Sequence, residues 1–150
     1  KGNLISLWKD SIYLNWRYVQ RPETNYIIFA VIKGGIINCF VVLKIEEPKP
    51  PRRPYRTGYI VDFFCLPEQI LDGELLIIES LQYLRDQNVD MVVSQSFEHC
   101  LSYKLFRNFG FLKYSEGDKL VVLNNSSHTD ESDVLNLHNW QLMPGDSDTY

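Results

Sequence analysis

The amino-acid sequence predicts a single α/β domain, of the α+β kind, in which helices flank a mixed central sheet. Three observations lead to this prediction. A chain of 150 residues has the usual length of one domain. Its 45% hydrophobic and 13% aromatic residues are enough for a sizeable core and exclude a disordered chain. Segments with strand character alternate with segments of helical periodicity, as expected when helices pack on a sheet.

The first third of the chain is predicted to form helix and then a β-hairpin. Apolar residues recur at spacings of three and four over Leu4–Val19, which predicts one or two short helices that end before Pro22. The β-rich run Tyr26–Ile32 is followed by Lys33-Gly34-Gly35, a turn that leads into the second strand over Ile36–Ile45.

A proline-rich loop and a central strand come next. Basic residues concentrate between Lys44 and Arg56, where four prolines exclude a helix or a central strand and predict an exposed loop. The following segment, Gly58–Leu66, is apolar on both faces. That pattern is typical of a strand in the middle of a sheet.

The second half of the chain is predicted to alternate helix and strand. The prediction rests on wide apolar stripes at helical spacing, on short apolar runs, and on Asn88 and Gly110 as helix stops. In chain order the expected elements are a helix over Leu71–Gln87, a strand over Asp90–Ser94, a helix over Glu98–Phe109, and a hairpin of Phe111–Tyr114 and Lys119–Asn124.

Charge separates a nearly neutral body from an acidic tail. The whole chain has a net charge of −4, and the segment from Asn124 to Tyr150 contains five acids and no Lys or Arg. The remaining residues therefore sum to +1. We expect residues 1–124 to form the domain core. Residues 125–150 are expected to form an acidic segment that docks on the same domain through its apolar side chains, Leu135, Leu137, Trp140 and Leu142.

Composition also excludes several classes of function. The acidic balance, with a pI near 5.3, argues against a nucleic-acid partner, which requires a concentrated cationic face. No apolar run approaches the roughly 18 residues of a membrane span, so no membrane partner is expected. Three cysteines in apolar surroundings predict free reduced thiols and a cytoplasmic location. The histidines and cysteines lack zinc-ligand spacing, so no metal site is predicted.

Several motifs resemble the GNAT-type acyl-CoA N-acyltransferase superfamily. They are the central strand YIVDFFCLP with the helix after it, the strand MVVSQ, and the helix-to-strand junction LFRNFGF. The segments LNWRYVQRPETNY and NWQLMPGDSD are similar to a narrower group of bacterial and archaeal proteins with two GNAT halves in tandem, where they mark the C-terminal half. The resemblance implies an acyl-CoA cofactor, and it implies as partner the N-terminal GNAT domain of the same polypeptide or a second copy in a homodimer.

The resemblance places the cofactor site at the start of the helix after the central strand. Family members bind the pyrophosphate of acetyl-CoA with backbone N–H groups there, which implies cofactor positions at Leu66 and Gly73. However, Ile70 stands where the family has Gln or Arg, and Leu75 stands where it has Gly or Ala. Three carboxylates crowd the same helix start. We therefore expect acetyl-CoA, or another acyl-CoA, to bind weakly or not at all.

The resemblance also points to catalytic positions. The junction Tyr that serves many family members as general acid aligns with Phe106, and Tyr103 lies three residues earlier as a possible substitute. Asp62, in the central strand, is the candidate general base for an amine, on a face that we expect it to share with Ile60, Phe64 and Leu66. The alternative is a structural role, as a hydrogen-bonded group or in an ion pair with Arg17 or Arg56.

Two further segments are candidates for substrate binding. Trp16-Arg17-Tyr18 could form a pocket wall in which Arg17 pairs with an acidic ligand group; the alternative is an aromatic helix face packed on the sheet. Trp140 and the residues after it could form a substrate-side lid or a simple anchored tail.

Three functional hypotheses follow, and the sequence leaves open whether the protein is an enzyme. The first is a GNAT-like domain that lacks a working acetyl-CoA site and serves substrate binding or domain pairing for a catalytic partner half. The second is an active N-acyltransferase that transfers an acyl group from acyl-CoA to an amine with Asp62 as base. The third is a non-enzymatic module that binds a small ligand.

Overall fold

The computed structural model describes residues 5–114 and 131–147. Four strands form one sheet in the order β1 (Tyr26–Lys33), β2 (Ile36–Glu46), β3 (Thr57–Cys65) and β4 (Met91–Ser94). β2 pairs antiparallel with both β1 and β3, and β3 pairs with β4 in parallel. The predicted mixed sheet is confirmed. Within these residues, no helix has the length and apolar character that crossing a membrane requires.

Helices flank this sheet. α1 (Ser11–Leu14) continues directly into one π-helical turn (Asn15–Val19), and α2 (Ile70–Asp86) connects β3 to β4. α3 (Leu101–Asn108) follows β4, and α4 (Glu131–Leu135) begins the last described segment. Single 3-10 turns lie at Pro67–Gln69, Leu137–Asn139 and Pro144–Asp146.

Local sequence explains where the first strand and the two main helices end. Gly34 and Gly35 have φ angles of +60° and +79°, which the tight turn between β1 and β2 requires. Asn88 after α2 has φ +55°, and Gly110 after α3 has φ +87°, so both adopt the left-handed conformation that ends a helix. The exposed loop predicted between β2 and β3 is also present.

The sheet has a core on each face. On the α2 face, Cys39, Val41, Ile60 and Phe63 belong to a large buried cluster with residues of α2 and α3. The opposite face has a smaller cluster in which Tyr18, from the N-terminal helical segment, packs on the sheet; its other buried members are Phe40, Val42 and Val61.

A β-bulge in β3 decides which residues share a face with Asp62. Asp62 pairs with Val42 of β2 and Ile60 pairs with Leu43, so Val61 is an extra residue in the register. A bulge of this kind reverses the alternation of side chains. The expectation that Asp62 shares a face with Ile60 is therefore wrong, because Ile60 lies on the α2 face with Phe63.

Three other boundaries differ from the sequence-based prediction. Residues 5–10 are not helical, because Ile5 forms a parallel bridge with Trp140 instead. α3 begins at Leu101 rather than Glu98, after a turn in which the Cys100 N–H donates to the Phe97 carbonyl over 2.9 Å. Residues 111–114 form no strand, and the predicted partner strand over residues 119–124 lies outside the described residues.

The segment 131–147 is held to the body through residues 139–147. Val134 and Met143 are buried, whereas Leu135 and Leu137 are exposed, so those two do not dock as expected. α4 is only five residues long, and a single short turn can bury only one side. Backbone hydrogen bonds tie the segment to Ile5, whose N–H donates to the Asn139 carbonyl over 2.6 Å and whose carbonyl accepts from the Gln141 N–H over 2.9 Å.

Candidate functional site

Asp62 is the centre of a buried polar cluster. Its side chain is 0% exposed, and three donors surround its two oxygens. The Lys9 ammonium and the Phe63 N–H donate to Oδ1 over 2.7 and 2.9 Å, and the Tyr18 hydroxyl donates to Oδ2 over 2.8 Å. The carboxylate is thus compensated by the chain's own groups.

Of the structural alternatives for Asp62, the hydrogen-bonded role is present, but the ion pair is made with Lys9 and not with Arg17 or Arg56. Arg17 is buried, and its Nε donates over 2.9 Å to the carbonyl of Gly145, while an Nη donates to the carbonyl of Ser147. Arg56 instead forms an ion pair with Glu47 at 2.9 Å. The structural reason is the position of residues 5–10, which lie extended beside the C-terminal segment and so bring Lys9 to β3.

A second carboxylate completes the cluster. Asp146 Oδ1 lies 2.9 Å from the Lys9 ammonium, and its Oδ2 accepts the Met143 N–H over 2.8 Å. Its side chain is 3% exposed. Lys9 therefore bridges two carboxylates, one from the central strand and one from the C-terminal segment. Arg17, which donates to the carbonyls of Gly145 and Ser147, adds a second buried cation against the same C-terminal segment.

Burial and charge shift the proton affinities in this cluster. Burial raises the pKa of the Asp62 carboxyl, while the Lys9 ammonium and the Tyr18 hydroxyl counteract the rise. Burial lowers the pKa of Lys9, but the carboxylates of Asp62 and Asp146 outweigh it, so that pKa is raised. Burial also raises the pKa of Tyr18, and the Asp62 carboxylate adds to this rise. Lys9 and Tyr18 therefore hold their protons tightly in the folded protein.

Gly145 permits the close approach of the C-terminal segment to β3. A Cβ atom at this position would lie 2.1 Å from the Tyr18 hydroxyl oxygen and 3.1 Å from the Val61 carbonyl oxygen. No side chain fits there without moving one of these groups. The turn of residues 145–147 is thus packed directly on the bulge of β3.

A cleft of about 190 Å³ opens beside the cluster. Trp16 and Arg17, two residues predicted to form a pocket wall, line it, and it is completed by Leu7, Tyr13 and residues 145–147. Tyr18 is instead directed at Asp62. Trp140 is not among the lining residues, because its indole N–H donates to the Val134 carbonyl over 2.9 Å and its own carbonyl contacts His99 Nε2 at 2.8 Å.

The start of α2 is the region where the sequence resemblance places an acyl-CoA. Pairing between β3 and β4 ends at Ile60 and Ser94, while β3 continues to Cys65, so the two strands separate beside this helix. Gly73 is buried against β3, and a Cβ there would lie 2.7 Å from Cys65 Sγ. Leu66 is 43% exposed at the end of the strand.

The side chains around that helix start are mostly apolar or acidic. Ile70 and Leu75 are 39% and 49% exposed. Among the three carboxylates, Asp72 forms an ion pair with Lys33 at 2.6 Å, which removes part of the local negative charge. Ile70 and Leu75 stand at the two positions where the sequence resemblance leads us to expect Gln or Arg and a small residue.

Phe106, which aligns with the family's general acid, and Tyr103, its possible substitute, both lie on α3. Phe106 is buried and packs edge-to-face on Phe63, with ring centroids 5.6 Å apart. It is therefore part of the hydrophobic core. Tyr103 is half-buried on the same helix and is not among the groups that contact Asp62. Asp62 and Tyr103, the two residues predicted as catalytic, are not hydrogen-bonded to each other.

Lys9 is the residue that sequence reasoning missed. Nothing in its immediate surroundings distinguishes it from a solvated surface lysine. The only available signal was the buried acid itself, since a carboxylate in an apolar strand requires a partner that the sequence does not identify.

The fold resembles that of solved acetyltransferase structures. The chain superposes on a mutant protein from Bacillus halodurans with a TM-score of 0.57 and 17% identity, over 75% of this chain and 72% of that one. It superposes equally on an aminoglycoside acetyltransferase from an uncultured soil metagenomic sample in complex with trehalose, with a TM-score of 0.57, 14% identity, and coverage of 79% and 78%.

A third solved structure contains a cofactor. It is a predicted acetyltransferase from Clostridium acetobutylicum with acetyl-CoA, and it matches with a TM-score of 0.51 and 14% identity over 64% of each chain. These likenesses show that the chain has the mixed α/β architecture of GNAT-type acetyltransferases. At such identities they show the fold and no more.

Sequence comparison gives a different set of proteins. No protein-family model matches the chain. It is 28% identical over 128 residues to a G1/S-specific cyclin-E of Hemicentrotus pulcherrimus, covering 77% of this chain and 29% of that protein. It is 26% identical over 83 residues to a G1/S-specific cyclin-E1 of Gallus gallus, covering 53% and 20%. The chain therefore spans less than a third of the length of these curated relatives.

Proposed function

We propose that this domain is a GNAT-like half without a working acetyl-CoA site, which serves substrate binding or domain pairing for a catalytic partner. The proposal rests on the observation that hydrogen-bond donors of the chain already occupy both carboxylate oxygens of Asp62. A general base for an amine must accept a proton from that amine, and it must be reachable by it. Asp62 is fully buried, and Lys9, Tyr18 and the Phe63 N–H occupy its oxygens.

The cofactor side supports the same proposal. A helix start binds phosphate through free N–H groups and a close, unobstructed approach. Here Leu75 stands at the small-residue position, and two acidic residues, Glu68 and Glu74, add negative charge without a described ion-pair partner. Phe106 has no proton to donate to a leaving thiolate.

The test is calorimetric titration of the chain with acetyl-CoA and with CoA. We expect no heat of binding up to about millimolar concentration, which corresponds to a binding free energy weaker than about −4 kcal/mol. A dissociation constant in the micromolar range would overturn the proposal. If Leu75 is the obstacle, Leu75→Ala should bind more tightly, whereas Ile78→Ala, at an equally exposed position of the same helix, should change nothing.

An active N-acyltransferase is the second candidate, because β3 and β4 separate beside the start of α2. The separation leaves residues 61–65 of β3 unpaired with β4. In such an enzyme, an incoming amine would have to displace the Lys9 ammonium from Asp62. The chain should then release CoA thiol from acetyl-CoA with some amine of a broad panel, and Asp62→Asn should abolish the release. If no amine of the panel leads to release of CoA thiol, the result counts against this candidate.

A further inference from the structure

Two of the three cysteines are neighbours across the sheet. Cys39 of β2 pairs directly with Cys65 of β3, at the end of the register between these strands. Directly opposite residues of an antiparallel pair have Cα atoms about 4.5–5.5 Å apart. A disulfide needs a Cα separation of about 4.4–6.8 Å. The two strands therefore already have the backbone spacing that a bond between these cysteines requires.

The two thiols also lie on the same side of the sheet and in contact. Both residues belong to the buried cluster on the α2 face, and both are free thiols. Their Sγ atoms lie 3.8 and 3.2 Å from one acceptor, the carbonyl oxygen of Gln69, and a hydrogen bond joins the two thiols. A covalent bond between them would thus replace an existing contact.

We propose that Cys39 and Cys65 form a reversible disulfide, a redox-sensitive cross-link between β2 and β3 directly beneath the start of α2. The inference goes beyond the proposed function and does not rest on it. Disulfides in reducing compartments are usually transient and serve redox sensing. The oxidant is a small peroxide, because only a molecule near the size of water reaches thiols that are 0% and 7% exposed.

The reaction takes two steps. The Cys39 thiolate attacks one oxygen of hydrogen peroxide, the O–O bond breaks, and the other oxygen leaves as hydroxide, so that Cys39 becomes a sulfenic acid. The Cys65 thiolate then attacks Cys39 Sγ, the S–O bond breaks, the S–S bond forms, and a second hydroxide leaves. The protons of the two thiols convert both hydroxides to water. Two thiols are oxidised, and one peroxide is reduced to two waters.

The surroundings of the two thiols favour this order and a slow rate. Burial raises the pKa of the Cys39 thiol, but the hydrogen bond from Cys65 opposes that rise. Burial raises the pKa of Cys65 to about 12, and its contact with Cys39 adds to the rise. Cys39 is therefore the thiol that ionises first. Because thiolates are scarce at neutral pH, the cross-link responds to sustained rather than brief oxidation.

The reduced thiol of Cys65 supports the start of α2. It lies 3.3 Å from the Leu66 carbonyl and 3.2 Å from the Gln69 carbonyl, in the turn that leads into this helix. Gly73, in the first turn of α2, packs against Cys65 Sγ. A disulfide has no S–H to donate, and it draws Cys65 Sγ towards β2. Oxidation should therefore loosen the start of α2, which makes the cross-link a switch.

The first test counts thiols in the unmodified chain, which has three. The native chain is treated with hydrogen peroxide at mildly alkaline pH, quenched with catalase, unfolded and alkylated with iodoacetamide. We expect mass spectrometry to show two thiols lost with the loss of two hydrogen atoms, a non-reducing digest to link Cys39 to Cys65, and dithiothreitol to restore both thiols. Three alkylated thiols, oxygen addition without a cross-link, or a link to Cys100 would each overturn the proposal.

Single variants separate the pair from ordinary thiol oxidation. Cys100 is the matched control, because it is 7% exposed like Cys65, while its thiol contacts the Trp140 carbonyl at 3.8 Å rather than a second thiol. Cys100→Ala should still lose both remaining thiols to the cross-link. In Cys39→Ala, loss of the Cys65 thiol should be at least about tenfold slower, because that thiol then lacks its partner. Equally fast loss in Cys39→Ala would refute the pair.

Amide hydrogen exchange of the reduced and oxidised chains tests the switch. We expect exchange over residues 66–73 to be at least about threefold faster after oxidation, because that segment loses its contacts with the thiol. Residues 80–86, at the far end of α2, should exchange as before, and dithiothreitol should reverse the change. A cross-linked chain in which residues 66–73 exchange at the original rate would overturn the switch.

Discussion

The two faces of β3 are filled in opposite ways. On one face, Phe63 and Cys65 pack against α2 at Gly73, and every contact is apolar or weakly polar. On the other face, Asp62 holds Lys9 and Tyr18 in a buried cluster of charges. The apolar face joins β3 to the helix that immediately follows it. The polar face joins it to segments 53 residues earlier and 84 residues later.

The contrast between the two faces shows how stability and specificity arise in this domain. Apolar packing is non-directional and tolerates small adjustments, so it can be built from neighbouring elements. A buried ion pair is stable only when all its partners are present, because each charge left unpaired retains its desolvation cost. The cluster therefore makes the two ends of the described chain depend on each other.

Removal of Asp62 should cause the largest loss of stability. In Asp62→Ala the Lys9 ammonium keeps one carboxylate, and the Tyr18 hydroxyl loses its acceptor, so we expect a loss of about 3–5 kcal/mol in the free energy of unfolding. The matched control is Asp72→Ala, whose partner Lys33 is 60% exposed; this should cost no more than about 1 kcal/mol. Urea denaturation of both variants measures the two losses in the free energy of unfolding. Equal losses would mean that the buried cluster contributes nothing special.

Two glycines, one packed on each face of β3, allow a second test of the difference between the faces. Gly145→Ala places a Cβ 2.1 Å from the Tyr18 oxygen, which Asp62 holds in place, so we expect a loss of about 3 kcal/mol. Gly73→Ala places a Cβ 2.7 Å from a thiol that can rotate, and Ala favours a helix over Gly by about 1 kcal/mol, so the net loss should be about 1 kcal/mol or less.

Thermal unfolding of the two glycine variants measures this difference. Tyr18→Phe in the Gly145→Ala background removes the oxygen that the new methyl group meets, and it should recover part of the loss. The reverse ranking, with Gly73→Ala the more damaging, would show that the α2 face is the less adaptable one.

The smallest expected effect is a dependence of stability on alkaline pH. The pKa values of Lys9 and Tyr18 are raised above their usual 10.5 and 10.0, so the unfolded chain loses these protons first as pH rises. The cluster's contribution is therefore complete below about pH 10 and falls as pH increases beyond it. Denaturation between about pH 9 and 11 should show this decline, and Lys9→Met should flatten it. An unchanged slope in that variant would exclude Lys9 as its source.

Prediction from sequence was most successful for local features. The hairpin of β1 and β2 depends on Gly34-Gly35, and α2 depends on a wide apolar stripe ended by Asn88; both follow from neighbouring residues and were predicted correctly. The expected face of Asp62 was correct only in part. Phe64 lies on it and Ile60 does not, because the bulge at Val61 is a feature of strand pairing rather than of strand sequence.

The candidate site was predicted only in part. Trp16 and Arg17 do line one cleft, but Arg17 binds backbone carbonyls of the C-terminal segment rather than Asp62. Tyr103 and Asp62 are not brought into contact. The catalytic, cofactor and substrate roles of all these residues stay predictions.

The mixed α/β class, the hairpin, the main helix and a buried acid in the central strand all follow from the amino-acid sequence alone. These depend on periodicity, turn residues and hydrophobicity, which act over a few residues. The folded structure was needed to show that Lys9 neutralises this acid, that Asp146 shares the same lysine, and that Ile12 and Trp16 in the N-terminal helical segment are exposed. The physical reason is that a buried charge requires a partner, whereas the choice among the chain's many charged residues depends on which segments the folded backbone brings together.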